Sequence, residues 1–266
     1  MFKALKYVLQ EHTENRKLIL LMAKEEMKKA KVRTSIGIAW DYIHDLIYFF
    51  VYTLFRVVMS GSGNVDGMES VLYVLTGLIP WFFMNEVLVA GTMAVKKNKG
   101  IIRSIRFPIT IIPTIDVVSI FIKRSFTLIV LYIVSACFGH AVDLNIFLLI
   151  YYVAAMFAFM LGVNMLISAF VAISEDFHQI FLALVRILFF FIPVLWSFSN
   201  IPFHSLRIGL KLNPIVYVIE GFRDAFVSGG LPSLRATLYF WVVTIVVSGL
   251  GCFVQYRLRK YYADIM

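Results

Sequence analysis

The chain has 266 residues, 61% of them hydrophobic and only 15% charged, with a formal net charge of +9. Soluble domains run at roughly 45–50% apolar and about 25% charged, so an ordinary soluble domain is excluded. The apolar residues gather into runs near the ~20 residues that cross a bilayer, so the basic excess concerns membrane sidedness rather than nucleic acid. Cys137 and Cys252, the two cysteines, exclude a disulfide framework.

In chain order, residues 1–37 predict a cytoplasmic amphipathic interface helix. From residue 14 to 33, short apolar patches alternate with Arg16, Lys17, Lys24, Lys28, Lys29, Lys31 and Arg33. A basic amphipathic helix of this kind lies along an anionic leaflet, either as a lipid anchor or against a cytoplasmic partner. The apolar run 18–23 is too short and too charge-flanked for a secretory signal, so the spans themselves are expected to direct insertion.

Residues 38–266 read as a single all-α transmembrane domain with six spans, at about 38–60, 70–95, 112–137, 146–172, 179–200 and 234–256. Lys and Arg concentrate in the leader, in the loop 96–111 and in the tail after 256, against only Arg207, Lys211, Arg223 and Arg235 in the alternate connections. That bias predicts a plasma-membrane protein with both termini in the cytoplasm.

The first span carries a polar stripe. At about 100° per residue, Asp41, His44, Asp45, Tyr48, Tyr52 and Arg56 share one side of the helix, opposite Ile43, Ile47, Phe50, Leu54 and Val57. A charge at mid-bilayer costs about 2.5–3.5 kcal/mol on insertion scales, so this face is expected to be hidden from lipid. It is either a buried polar network or the lining of a passage, in which Tyr48, Tyr52 and Phe55 offer flat faces to sugars and Arg56 attracts anions. Glu86, Asp116, Lys123, Arg124 and Arg186 also lie within spans, and Lys123 and Arg124 are placed to neutralise Glu86 or Asp116. Small residues every fourth position (Ala154, Ala158, Gly162; Thr244, Ser248, Cys252) predict close helix packing.

Residues 202–232 are too polar for a span. Ile215, Ile219, Phe222 and Phe226 fall on one helical face there, and Glu220, Arg223 and Asp224 on another. Twelve residues give roughly 18 Å, short of the ~30 Å core, so this helix either lies on the surface or re-enters as a lid. Pro214 suits its start and the following Ser-Gly-Gly its end. The sequence has no G-x-x-x-x-G-K-[ST] and no H-E-x-x-H, and nothing in it suggests an enzyme active site.

The phrases "LTGLIPWFF", "IIRSIRFPITIIP", "VRILFFFIPVLW" and "LKLNPIVYVIEGFRDAF" resemble the type-2 ABC exporter permeases for surface polysaccharides, nearest to the wall teichoic acid permeases. The resemblance covers nearly the whole chain. It implies a homodimer of six-span subunits with two copies of a separate ATPase, which would bind the ATP and Mg that this chain has no site for. It implies a coupling helix in 96–111, with Lys97, Lys99, Ile102, Arg103, Arg106 and Phe107 touching that ATPase, and Glu175 and Asp176 as a second contact. It implies an outer gate in 202–231, carried by Asn213, Pro214, Glu220 and Arg223. Tyr48, Tyr52, Phe55, Arg56, Trp81 and Trp196 would line a pathway for a lipid-linked polymer. Wall teichoic acid is the first expectation for that polymer, and capsular or O-antigen polysaccharide the alternative. From a different class, an ion-coupled carrier would use Asp41, His44, Asp45, Glu86 and Asp116 as a relay.

Overall fold

The computed structural model describes residues 2–32, 37, 39–60, 63–98, 100, 107–139, 143–174, 176–226 and 232–259. Its helices are α1 (Phe2–Glu14), α2 (Arg16–Val32), α3 (Ala39–Ser60), α4 (Ser70–Gly91), the single turn α5 (Ala94–Lys97), α6 (Ile112–Cys137), α7 (Ile146–Ile173), α8 (Asp176–Leu188), α9 (His204–Lys211), α10 (Pro214–Phe226) and α11 (Leu234–Leu258). Short 3-10 turns occupy Ile109–Ile111, Phe189–Phe191 and Phe198–Asn200.

Among the described residues, four helices are long and apolar enough to cross a membrane: α4, α6 with its leading 3-10 turn, α7 and α11. The 22 residues of α3 span about 33 Å at ~1.5 Å each, enough length, but the helix carries Asp41, Asp45 and Arg56. The expected fifth span, 179–200, is not one helix. The 13-residue α8 gives way to a 3-10 turn, and the chain then extends at Ile192, φ −115° and ψ 143°. Pro193 is the cause: it has no N–H, its ring clashes with the carbonyl one turn back, and it steers Ile192 out of the α region.

The centre of the fold is α4, in which residues 72–81 are all buried. It packs against α3, α6, α7 and α10. The helix α10 starts where the sequence places it: Asn213 Oδ1 accepts the Ile215 N–H at 3.0 Å, and Pro214 takes the first helical position, where its missing N–H costs nothing. Ile215, Ile219, Phe222 and Phe226 are buried against the core, as their spacing predicts. Gly221 is required there, because an added Cβ would lie 2.0 Å from the Tyr152 ring. The small-residue ladders meet at Gly162, where a Cβ would sit 2.9 Å from Ser248 Cα, and there α7 and α11 touch backbone to backbone.

The leader is two helices rather than one, with a turn at Asn15. Its apolar side buries Ala4, Val8, Ile19 and Ala23, with α1 against α11 and α2 against α6, while Lys3, Lys6, Arg16, Lys17, Lys24 and Lys28 stay exposed. His12 ties the leader to the start of α6. Its Nδ1–H donates to the Val8 carbonyl at 2.7 Å, so Nε2 accepts the Thr114 hydroxyl, also at 2.7 Å. Burial holds His12 below the ordinary histidine value, against the opposing pull of the Val8 carbonyl and Glu11. The unfolded leader therefore binds the proton more readily, and the contact's contribution is present above the ordinary histidine value and lost as pH falls below it. Hydrogen exchange in α1, corrected for its intrinsic pH dependence, is expected to accelerate below about pH 6. In His12→Asn that acceleration should vanish; an unchanged profile would mean that His12 does not anchor the leader.

Candidate functional site: an aromatic groove beside a buried charge network

Three carboxylates and two cations meet where α3, α4 and α6 touch. Lys123 Nζ lies 3.1 Å from Asp41 and pairs with Glu86; Arg124 pairs with Asp45 and reaches Glu86 through Nε at 2.7 Å. The Tyr42 hydroxyl donates to the Lys123 carbonyl at 2.8 Å. The stripe thus keeps its lower half from lipid by pairing, and Glu86 is the partner that Lys123 and Arg124 neutralise. Asp116 is not: it sits two turns away on α6 and pairs at 3.6 Å with Lys97. The relay of an ion-coupled carrier is therefore split into two separate groups.

Beside this network lies a groove of about 480 Å³ between α3, α4 and the fifth hydrophobic segment. Asp41, His44, Asp45, Tyr48 and Tyr52 line it from α3, Trp81, Phe82 and Asn85 from α4, Arg124 from α6, and Val185, Arg186, Phe189 and Phe190 from the third wall. Tyr48 and Tyr52 stack with centroids 5.9 Å apart, and Tyr52 and Trp81 lie 5.3 and 5.7 Å from the Phe189 ring. The opposite face of α3, with Leu46, Phe50 and Leu54, bounds an apolar hollow of about 470 Å³. One face of the helix is polar and aromatic, the other purely hydrocarbon-like. Flat rings flanked by carboxylates, an amide and a guanidinium can stack on sugar faces and hydrogen-bond sugar hydroxyls.

Of the six expected pathway residues, Tyr48, Tyr52 and Trp81 line the groove. Phe55 does not, being exposed on α3 away from it. Arg56 and Trp196 do not either. Arg56 is 5% exposed and donates to the Leu195 carbonyl at 2.8 Å, and Trp196 packs edge-on against Phe198. Asn213 and Pro214 form the start of α10. Arg223, expected at a gate, is buried; it pairs with Glu220 at 2.6 Å, lies over the Tyr73 ring at 3.6 Å and donates to the carbonyls of Pro193 and Val194. Asn85, Arg186, Phe189 and Phe190 were not foreseen as groove residues. Their signal in the sequence is faint, because hydropathy alone gives no weight to Pro193, which ends the helix that presents the two phenylalanines.

Of the expected ATPase contacts, Lys99, Ile102, Arg103, Arg106 and Glu175 lie outside the described residues. Lys97 is half-exposed and pairs at 2.5 Å with Glu26 of the leader and at 3.6 Å with Asp116. Burial pulls its ammonium down, but Asp116 and Glu26 outweigh that and hold it above the ordinary lysine value. Phe107 packs with Ile19, Ala23 and Ile111 inside the protein. Asp176 is exposed at the start of α8, and its N–H is bonded to the Ser174 hydroxyl.

The family model described as ABC-2 type transporter matches residues 17–227. The chain belongs to that family. It is accordingly a multi-pass membrane protein, as its apolar helices require. It is similar along its length to the O-antigen export system permease protein RfbA of Myxococcus xanthus, 24% identical over 97% of this chain and 98% of that protein. It is also similar to the RfbA permease of Klebsiella pneumoniae, 23% identical over 94% of this chain and 95% of that one. Membership of this family leaves the ion-coupled carrier without support.

Proposed function

We propose that this chain is the permease of an ATP-driven exporter for a lipid-linked surface polysaccharide of the O-antigen type. The sequence resemblance ranked teichoic acid first and O-antigen as the alternative. That order is reversed, because full-length relatives from two organisms carry O-antigen export in their names. The observation that carries the reading on the structural side is the groove. Its stacked tyrosines and Trp81, with Asn85 beside them, suit the flat faces and hydroxyls of a glycan, and the carboxylates of Asp41 and Asp45 are balanced by Lys123, Arg124 and Arg186.

In this reading two copies pair with two copies of a separate ATPase, which binds ATP and Mg. The glycan passes along the groove while its lipid stays in the membrane. The ATPase docks on the 96–111 loop. Lys97, at the base of that loop, bridges Glu26 of the leader and Asp116 of α6. Movement of the docked loop is thereby coupled to both.

The test uses sealed vesicles carrying the chain with its ATPase partner and two cargoes on the same lipid, an O-antigen glycan and a poly(glycerol phosphate). ATP should move the glycan and leave the polyphosphate behind. Preference for the polyphosphate, or movement driven by a pH gradient without ATP, would overturn the proposal.

A further inference from the structure

A helix that stops inside a membrane protein leaves carbonyls without amide partners, and each unpaired group costs several kcal/mol away from water. Beyond the break in the fifth segment, four consecutive carbonyls are received by side chains of three different helices. Arg223 Nη2 donates to Pro193 and, at 3.3 Å, to Val194; Arg56 Nη1 donates to Leu195 at 2.8 Å; the Tyr73 hydroxyl donates to Trp196 at 3.0 Å. The two guanidiniums also attend the Tyr73 ring, Arg223 at 3.6 Å from its centroid and Arg56 at 5.6 Å.

The position of this cluster relative to the groove follows from helical spacing. Arg56 is one turn beyond Tyr52 on α3, Tyr73 two turns from Trp81 on α4, and Pro193 four residues beyond Phe189. All three elements that wall the groove carry the cluster just past its end. The segment leaves no gap there. Ile192 and Val194 are fully buried, and a Cβ on Gly77 would lie 3.2 Å from Val194 Cα and 3.0 Å from Arg223 Nη2. Gly77, the glycine of the phrase "LTGLIPWFF", is thus the seat on which residues 193–194 rest. The Nε atoms of both arginines have no hydrogen-bond partner among the described residues, so the closed arrangement leaves donors that a rearranged segment can use.

We propose that Arg56, Tyr73 and Arg223 form a latch that holds residues 193–196 across one end of the groove and keeps that end shut. They are positioning residues that act on backbone, and export requires them to release it. The inference rests on the groove being the passage, and it adds where and by what the passage is closed.

The test is thiol labelling in sealed vesicles that contain the chain with its ATPase partner and no ATP, using a membrane-impermeant reagent applied separately to each face. The background carries Phe190→Cys in the groove and Cys137→Ser, and keeps Cys252, which is buried beside Met165 and reports general loosening. With the latch intact, position 190 should label from one face only. In Tyr73→Phe, which removes one hydroxyl and keeps the ring, and in Arg56→Met, labelling from the second face should rise roughly tenfold, the scale expected when a buried carbonyl loses its donor. Cys252 should stay protected in both. One-face labelling that survives both substitutions overturns the latch, and so does second-face labelling that always accompanies exposure of Cys252. Labelling from both faces or neither in the parent overturns it as well. The readout needs no cargo, so a wrong cargo assignment would leave it intact.

Discussion

Arg124→Met is expected to remove nearly all folded protein from the membrane. The guanidinium is 14% exposed and joins Asp45 on α3 to Glu86 on α4, with its own backbone on α6. Without it, Lys123 faces three carboxylates alone. Breaking a buried ion pair by deleting one partner costs about 3–5 kcal/mol, because the other charge stays buried. Domains have only about 5–15 kcal/mol of stability in all, so the loss takes a large share of it. Charge arithmetic makes the prediction specific. Adding Asp45→Asn to Arg124→Met removes one of the stranded carboxylates and should recover part of the yield, whereas Asp45→Asn alone should lower it. Fluorescence-detected size exclusion after mild solubilisation measures both. Equal yields for parent and Arg124→Met would mean that these groups reach water at the helix ends and do not hold the three helices together.

The same residues show how far the sequence could be read. The stripe on α3 was legible because a 3.6-residue period sorts Asp41, Asp45, Tyr48 and Tyr52 from Leu46, Phe50 and Leu54 without any tertiary information. That Lys123 and Arg124 would find Glu86 was legible as chemistry, since buried cations need carboxylates, but which carboxylate they would meet depended on helix packing. The start of α10 could be read from Asn213 and Pro214, because capping is local. The fifth span was misjudged for a physical reason: hydropathy averages over residues 179–200 and gives Pro193 no weight, although that proline ends the helix. The same break explains why Arg56 and Trp196 lie beside it and not in the groove. With a continuous helix, no backbone carbonyls would need donors, and a free arginine would naturally be assigned to the passage. Phe55 falls on the stripe side by helical period, yet it stays outside the groove, which no periodicity could reveal.

The groove carries the second large effect. Tyr48 and Tyr52 are its paired rings, and removing a ring that stacks on cargo at about 1.4 kcal/mol costs a factor of ten in rate. Tyr48→Ala and Tyr52→Ala should each lower glycan export roughly tenfold, with the double variant lower still because the two rings stack on each other. ATP hydrolysis by the partner should persist, since both rings line the groove and the proposed docking site is the 96–111 loop.

Export and ATP hydrolysis measured side by side in Tyr52→Ala and Phe55→Ala therefore test most directly whether cargo passes along this face of α3. Phe55 is a ring of similar size three residues away, but it lies outside the groove. The expected result is export reduced in Tyr52→Ala alone, with hydrolysis retained in both. Equal export in the two variants, whether both normal or both reduced, would contradict it.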